Sequence, residues 1–387
     1  MRVLIAFDKF KHALTASAAC EAAAQALRTL HPDWSLDLCP LTDGGEGFCP
    51  TLTEAVGGRF ESASVAGPRG NKVLADIGYT NSSRLSPGVR SRLRLGAETS
   101  LAVIGLSSAS GLELVPRAQR DPWQTTTFGS GELISAASKT DVGAILLGVG
   151  GSATNDLGVG ALAALGFRFL DSAGKTVTVP TPATWEAIQR IDVSGAVKPP
   201  PIFIACDVTN PLLGPIGATA TFGPQKGLKP TDLPRLEAQV ARMTALLCEA
   251  CGKPGAMADT PGAGAAGGSA FGLMVAADAE LVSGFDLVAD WLDLPARLAA
   301  SDIVITGEGR FDATSLAGKG PGSLVREAQR LGKRALLFAG DITLPDLAIP
   351  ALAGVESCAI TPVGMPRAEA FSRVAALLAD AITRALR

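Results

Sequence analysis

The sequence predicts an α/β protein of two domains. At 387 residues it exceeds the ~250–300 residues at which a single hydrophobic core stops growing. Short β-rich runs alternate with helical patterns along the whole chain, the order expected when strands feed helices. Several of those runs are continuously apolar rather than alternating, as strands buried on both faces of a parallel sheet are. A hydrophobic fraction of 47% with 5% aromatics describes a core of Ala, Leu, Val and Ile, and 44 Gly with 25 Pro provide many tight connections.

Predicted strands run in order from RVLIAF (2–7) through LDLCPL (36–41), LAVIGL (101–106), AILLGVG (144–150), FRFLD (167–171) and PIFIAC (201–206). DIVIT (302–306), ALLFAG (335–340) and SCAIT (357–361) complete the series. Helical patterns fill the gaps, notably 15–30, with Thr15 as a plausible N-cap, 323–332, and an amphipathic closing stretch at 368–387. Polar or Gly/Pro-rich punctuation falls at 81–92, 197–201 and 260–268. The last, TPGAGAAGG, is expected to be a hinge or a backbone surface that a ligand can approach closely. The basic stretch RSRLRLG (90–96) reads as a solvated loop.

A net charge of -3 gives no basic face for nucleic acid. No segment offers the ~18 apolar residues that a membrane helix needs, and the N-terminus has too short an apolar run for a signal peptide. The expectation is therefore a cytoplasmic protein whose partner is a small molecule, and a homodimer is one assembly it admits. Seven scattered cysteines suit reduced thiols. Cys248 and Cys251 have CxxC spacing inside a helical pattern, with no second pair. With only His12 and His31 in the chain, zinc sites and His-based triads are disfavoured, so proton transfer falls mainly to carboxylates or lysines.

The stretch GVGGSATND (148–156) leaves an apolar run and opens into an Ala/Leu helix. Gly148, Gly150 and Ala153 fit a dinucleotide fingerprint, and Asp171 ends a following strand roughly twenty residues on. Asn155-Asp156 at the helix start opposes that reading, because a carboxylate there repels a bare pyrophosphate. It suits phosphate bridged by Mg²⁺, or simple capping of the helix by Asp156. Other stretches share a strand that ends in a carboxylate near glycines or cations: IAFDKFKH (5–12), LTDGGEG (41–47), FIACDVTNPL (203–212) and ITGEGRFD (305–312). Carboxyl ends of parallel strands are where open α/β folds bind ligands. The mixture of acids, amides and cations matches a magnesium–phosphate site. Lys226 and Lys319 lie in Gly/Pro turns, either as phosphate contacts or as exposed turn lysines. Neither belongs to a Walker A loop.

Taken in order, eight of these stretches resemble the bacterial glycerate kinase family, glycerate 2-kinase type. They are DKFKHA (8–13), DGGEG (43–47), TTTFGSGELI (125–134), GGSATND (150–156), ACDVTNPL (205–212), FGPQKG (222–227), PGAGAAGG (261–268) and GEGRFDATSLAGK (307–319). Lys9 and His12 depart from the family's Ser and Gly, Gly105 stands where the family usually carries Glu, and Leu157 replaces a glycine. The resemblance implies ATP-dependent phosphorylation of D-glycerate, usually at the 2-hydroxyl. It also implies a flavodoxin-like domain formed by the two chain ends, here 1–61 and 285–387, with a second α/β domain, 62–284, inserted into it and the site in the cleft between them.

The residues are assigned accordingly. Gly150, Gly151, Ser152, Asn155, Lys226 and Lys319 are expected to meet ATP phosphates, and Asp156, Glu308 and Asp312 to hold Mg²⁺. Asp8, Lys11, Glu46, Asn210 and Arg310 are expected at glycerate, Lys11 or Arg310 gripping its carboxylate. Asp207, with Asp43 as substitute, is expected to orient the hydroxyl and accept its proton, with Lys11 among the catalytic groups. Two other readings are an NAD-dependent oxidoreductase acting on a small hydroxy acid, built on Gly148–Ala153 and Asp171, and a non-catalytic two-domain binding protein.

Overall fold

The computed structural model describes residues 1–316, 320–344 and 352–387. Its strands are β1 (Arg2–Phe7), β2 (Ser35–Leu38), β3 (Arg59–Ala66), β4 (Lys72–Asn81), β5 (Ser100–Gly105), β6 (Ala144–Gly148) and β7 (Arg168–Leu170). They continue with β8 (Arg190–Asp192), β9 (Ile202–Cys206), β10 (Glu280–Ser283), β11 (Ile303–Asp312), β12 (Arg334–Thr343) and β13 (Val355–Ala359). The chain divides into two compact units, Met1–Asp43 with Val288–Arg387, and Gly44–Leu287. The sequence-predicted junction at 61/62 falls inside β3, which pairs along its length with β4. A boundary cannot cut a hydrogen-bonded hairpin, so the inserted unit starts earlier.

The first unit holds a five-stranded sheet in the order β13-β12-β11-β1-β2, parallel throughout. Val3, Ile5 and Phe7 on β1 are buried in one core with Ala19, Cys20, Ala23, Ala24 and Leu27. Those five lie on the helix Ala16–Leu30, and the closing helix Val374–Ala385 joins the same core through Leu377, Leu378, Ala381 and Ile382. The small Ala/Cys face lets the two helices come close to the sheet. Thr15 caps its helix by accepting from the Ala18 amide at 3.2 Å. On another core, Val325 of the helix Gly320–Arg330 packs with Phe311, Leu337 and Ala339. The predicted closing helix is two, Arg367–Ser372 and Val374–Ala385, because Arg373 leaves helical geometry at φ -110, ψ 6. The chain leaves β1 toward β2 in one direction and runs β11, β12, β13 in the other. The carboxyl ends of β1 and β11 are therefore the topological switch point, where open parallel sheets bind ligands.

The inserted unit holds a six-stranded sheet in the order β10-β9-β6-β5-β4-β3. β10, β9, β6 and β5 are parallel, and β4 and β3 add an antiparallel edge. Leu101–Ile104 and Ile145–Leu147 are fully buried, as their unbroken apolar runs predict. The edge hairpin escapes the sequence pattern because most of β3 (RFESASVA) faces solvent, so its composition is polar. The predicted strand 167–171 is no part of the main sheet: β7 pairs with β8 in a separate two-stranded ribbon. The basic stretch 90–96 is largely solvated as expected, with Ser91, Arg92, Arg94 and Gly96 exposed, but only 93–96 is loop. It ends a helix, Pro87–Arg92, Leu93 is buried, and Arg92 and Arg94 pair with Asp286 and Glu280.

Candidate active site

In the first unit the switch point opens into a cavity of about 1040 Å³. Asp8, Lys11, Asp43, Glu308, Arg310 and Asp312, six of the sequence-predicted site residues, line it together. Asp8, Lys11 and Asp43 lie on the segments that follow β1 and β2, and Glu308, Arg310 and Asp312 lie within the last five residues of β11. The Asp8 amide donates to Gly307 O at 2.9 Å, which carries the β1–β11 ladder one step beyond β1. Gly309 lets the chain after β1 close down on β11, since a Cβ there would meet the Lys11 amide nitrogen and Phe10 Cα at 3.1 Å.

Carboxylates dominate this crevice, and their crowding sets its electrostatics. Asp8 is 8% exposed, and its Oδ1 accepts the Lys9 amide at 2.7 Å. Burial, against the pull of the Lys9 ammonium and with the push of Asp43, raises its pKa to about 6. Glu308 is raised to about 7, by burial first and then by the negative charges of Asp8, Asp312 and Asp43, against a hydrogen bond with Ser315. Its Oε1 is buried without a hydrogen-bond partner. Lys9 supplies the internal counter-charge, its Nζ lying 2.7 Å from Asp43 Oδ1 and 3.5 Å from Asp8 Oδ1. Arg310 Nε lies 3.6 Å from Asp312 Oδ2, with its side chain largely in solvent. Lys11 is exposed. Sequence reasoning noted Lys9 among the cations that follow β1 but gave it no role, and it passed over Asp341, which lines the cavity. Asp341 carried the same signal as the others, a carboxylate behind a glycine late in a buried apolar strand.

The inserted unit corrects several expectations. Asp156 is fully buried. Its Oδ2 accepts the Thr127 amide at 2.7 Å, the Thr127 hydroxyl at 2.8 Å and the Gly160 amide at 3.3 Å, and its Oδ1 accepts the Gly158 amide at 3.3 Å. Burial raises its pKa against those four bonds. It ties the 156–160 turn to the 127–131 helix start, and these four bonds are all made to the protein's own donors. Lys226 is no turn lysine on phosphate: it is 2% exposed and donates to Ser152 Oγ at 2.9 Å and Thr154 O at 2.5 Å. Burial, against the attraction of Asp156, lowers its pKa to about 7. Ser152 thus serves the loop's own clamp, and buried Asn155 donates to Thr219 Oγ1 at 3.2 Å.

The dinucleotide fingerprint fails for a packing reason. A Cβ at Gly148 would meet the Phe48 ring at 2.6 Å and Gly44 O at 2.7 Å, and one at Gly150 would meet Gly45 Cα at 2.7 Å. These glycines admit the 44–48 segment, with Gly150 N donating to Gly44 O at 2.9 Å. The helix after the loop starts only at Val159, and Asp171 accepts the Ala173 and Lys175 amides of its own turn. Gly151, with φ 71, bends the same loop. The 260–268 stretch is no hinge: residues 263–268 are buried, and a Cβ on Gly267 would strike Thr154 O at 2.1 Å.

Asp207 follows β9, and its Oδ1 accepts the Phe285 amide at 3.0 Å, at the start of the helix Gly284–Trp291. Asn210 donates to Ile216 O at 2.7 Å, and Glu46 is exposed. Lys319 lies outside the described residues. Among those residues, no group of three or more His, Cys, Asp or Glu is arranged to hold a metal ion, and no helix is long and apolar enough to cross a membrane.

The glycerate kinase family model matches residues 3–387. A glycerate kinase of Bacillus subtilis (strain 168) is 37% identical over 379 residues, covering 97% of this chain and 94% of the relative. A glycerate 2-kinase of Escherichia coli (strain K12) is 37% identical over 346 residues, covering 89% and 86%. Among solved structures, that of a candidate glycerate kinase 2 from Salmonella typhimurium LT2 superposes with a TM-score of 0.74 at 37% identity, covering 100% of this chain and 98% of that one. With a switch-point crevice of carboxylates and cations in place of a dinucleotide loop, and with the family model spanning almost every residue, the chain belongs to the glycerate kinase family of phosphotransferases.

Proposed function

We propose that the chain transfers the terminal phosphoryl group of ATP, with Mg²⁺, to D-glycerate at its 2-hydroxyl, giving 2-phosphoglycerate. The observation that carries the reading is the convergence of Asp8, Asp43, Glu308 and Asp312 with Lys9, Lys11 and Arg310 on one crevice. The E. coli relative's name, glycerate 2-kinase, favours the 2-position.

The donor set suits Mg²⁺, which prefers oxygen ligands and keeps several waters, so that one or two carboxylates suffice. Glu308 and Asp312 would hold it, and the unpartnered Glu308 Oε1 is the oxygen such an ion would satisfy. When bound, the ion neutralises charge on phosphate oxygens. Lys11 and Arg310 are cations that reach solvent and can grip the acceptor's carboxylate, the arginine in two-pronged fashion. Of the two candidate bases, Asp43 is better supported. It shares the crevice with Asp8 and Glu308, with its Oδ1 on the Lys9 ammonium, whereas Asp207 is not among the residues lining that crevice and accepts a helix N-terminal amide. Phosphoryl transfer has a loose transition state, so aligning the hydroxyl matters more than the strength of the base.

Incubation with ATP, Mg²⁺ and D-glycerate, followed by phosphorus NMR, tests reaction and position together. The 2-phosphoglycerate resonance is expected. A 3-phosphoglycerate signal overturns the position, and ATP consumed without any phosphorylated glycerate overturns the acceptor.

A further inference from the structure

We propose that the apolar wall of the first unit's cavity, centred on Phe371 with His12 and Arg367, is the seat of the phosphoryl donor's nucleobase. The inference rests on the nucleotide-donor reading above and adds the place where the base binds.

Size is the first argument. Cavities of ~300–1,000 Å³ hold whole drug-sized ligands, and this one measures about 1040 Å³. A three-carbon acid and a hydrated ion leave most of it unfilled. Its lining is also of two kinds. The strand-end acids and cations form one part, while the segment after β13 and the helix Arg367–Ser372 contribute Pro362, Val363, Met365 and Phe371. Val363 presents its whole side chain to solvent.

The second argument is the chemistry of the trio. The His12 and Phe371 rings are within 19° of parallel, with centroids 6.3 Å apart. The Arg367 guanidinium carbon stands 4.9 Å from the centroid of the same phenyl ring. A near-parallel aromatic pair with a guanidinium beside it is the surface on which flat heterocycles stack. His12 is held there at φ 67, a conformation that costs a residue with a Cβ and recurs at functional sites. No competing seat exists at the Gly148–Gly150 turn, whose glycines are filled by Phe48 and the 44–45 backbone.

Calorimetric titration of the full chain in Mg²⁺ buffer, with ADP and separately with pyrophosphate, tests the assignment. Stacking of one base is worth a factor of about ten or more, so Phe371→Ala should weaken ADP about tenfold and pyrophosphate less than twofold. His12→Gly and Arg367→Ala, at exposed positions, should each weaken ADP about threefold. Those two decide the matter if thermal melting shows that Phe371→Ala has lost its fold. ADP affinity unchanged in the folded variants, pyrophosphate falling in step with ADP, or a wild-type chain that binds no ADP overturns the inference. A wild-type chain that binds ADP but makes no phosphoglycerate sinks the functional reading and leaves the base seat standing. One that makes phosphoglycerate while all three variants keep wild-type ADP affinity does the reverse.

Discussion

Replacing Asp156 separates a structural carboxylate from a catalytic one. In the wild type its two oxygens take four donors in a fully buried place: two bonds of 2.7 and 2.8 Å from Thr127, and two of 3.3 Å from the Gly158 and Gly160 amides. Asp156→Ala leaves all four donors without an acceptor. An orphaned buried donor costs about 1–3 kcal/mol. Taking the short pair near the middle of that range and the long pair at its lower edge, with some relaxation, gives about 4 kcal/mol. For a unit of this size that lowers the melting midpoint by about 10 °C. Asp156→Asn should be milder. Its amide oxygen can take the place of Oδ2 and keep three bonds, and only its NH₂ group faces the Gly158 amide, donor against donor. That single conflict should cost about 1–2 kcal/mol, or about 3–5 °C. Differential scanning calorimetry of the three proteins reads the gradation directly. If both variants melt within about 1 °C of the wild type while turnover disappears, the carboxylate serves a ligand and the packing argument is wrong.

Three further outcomes follow from the same structure. Lys226, lowered from 10.5 to about 7 by burial, binds fewer protons folded than unfolded above neutrality. Wild-type stability should therefore climb between about pH 7 and 10.5, by at most about 1.4 kcal/mol per unit, and urea titrations of Lys226→Met should lack that slope. Glu308 has the opposite sign: raised from 4.5 to about 7, its contribution is whole below pH 4.5 and fades as pH rises to 7. Glu308→Gln should flatten stability across that window by about 2 kcal/mol, leaving the decline due to Asp8, and an unaltered curve would mean that the carboxyl is not buried as described. Gly148→Ala drives a methyl into the Phe48 ring and Gly44 O and should cost about 2–3 kcal/mol. A neutral effect in thermal melting would show that the turn is open enough for a ligand after all.

Much of this was legible from the residues alone. The unbroken apolar runs at 101–104, 144–148 and 202–206 are strands buried on both faces because nothing else buries every side chain of a short extended segment. That Asp8, Glu308 and Asp312 would line one crevice was legible because each follows or lies late in a buried strand, toward the carboxyl edge of a parallel sheet. The antiparallel edge β3–β4 was not legible, since a strand with one wet face loses its apolar signature. Asp156 and Lys226 misled for a related reason: a charged residue beside glycines looks the same in sequence whether it points to a ligand or inward.

What the sequence by itself determined is the α/β class, the order of the elements, the family and the acidic character of the first unit's crevice. Those rest on local composition, periodicity and motif spacing, all of which are written along the chain. Only the tertiary structure decided that Asp156 and Lys226 are buried clamps, that Gly148 and Gly150 make room for the 44–48 segment, and that His12, Phe371 and Arg367 share a wall. Burial and partnership depend on what the fold brings from tens to hundreds of residues away, and no local pattern encodes the neighbour that fills a space.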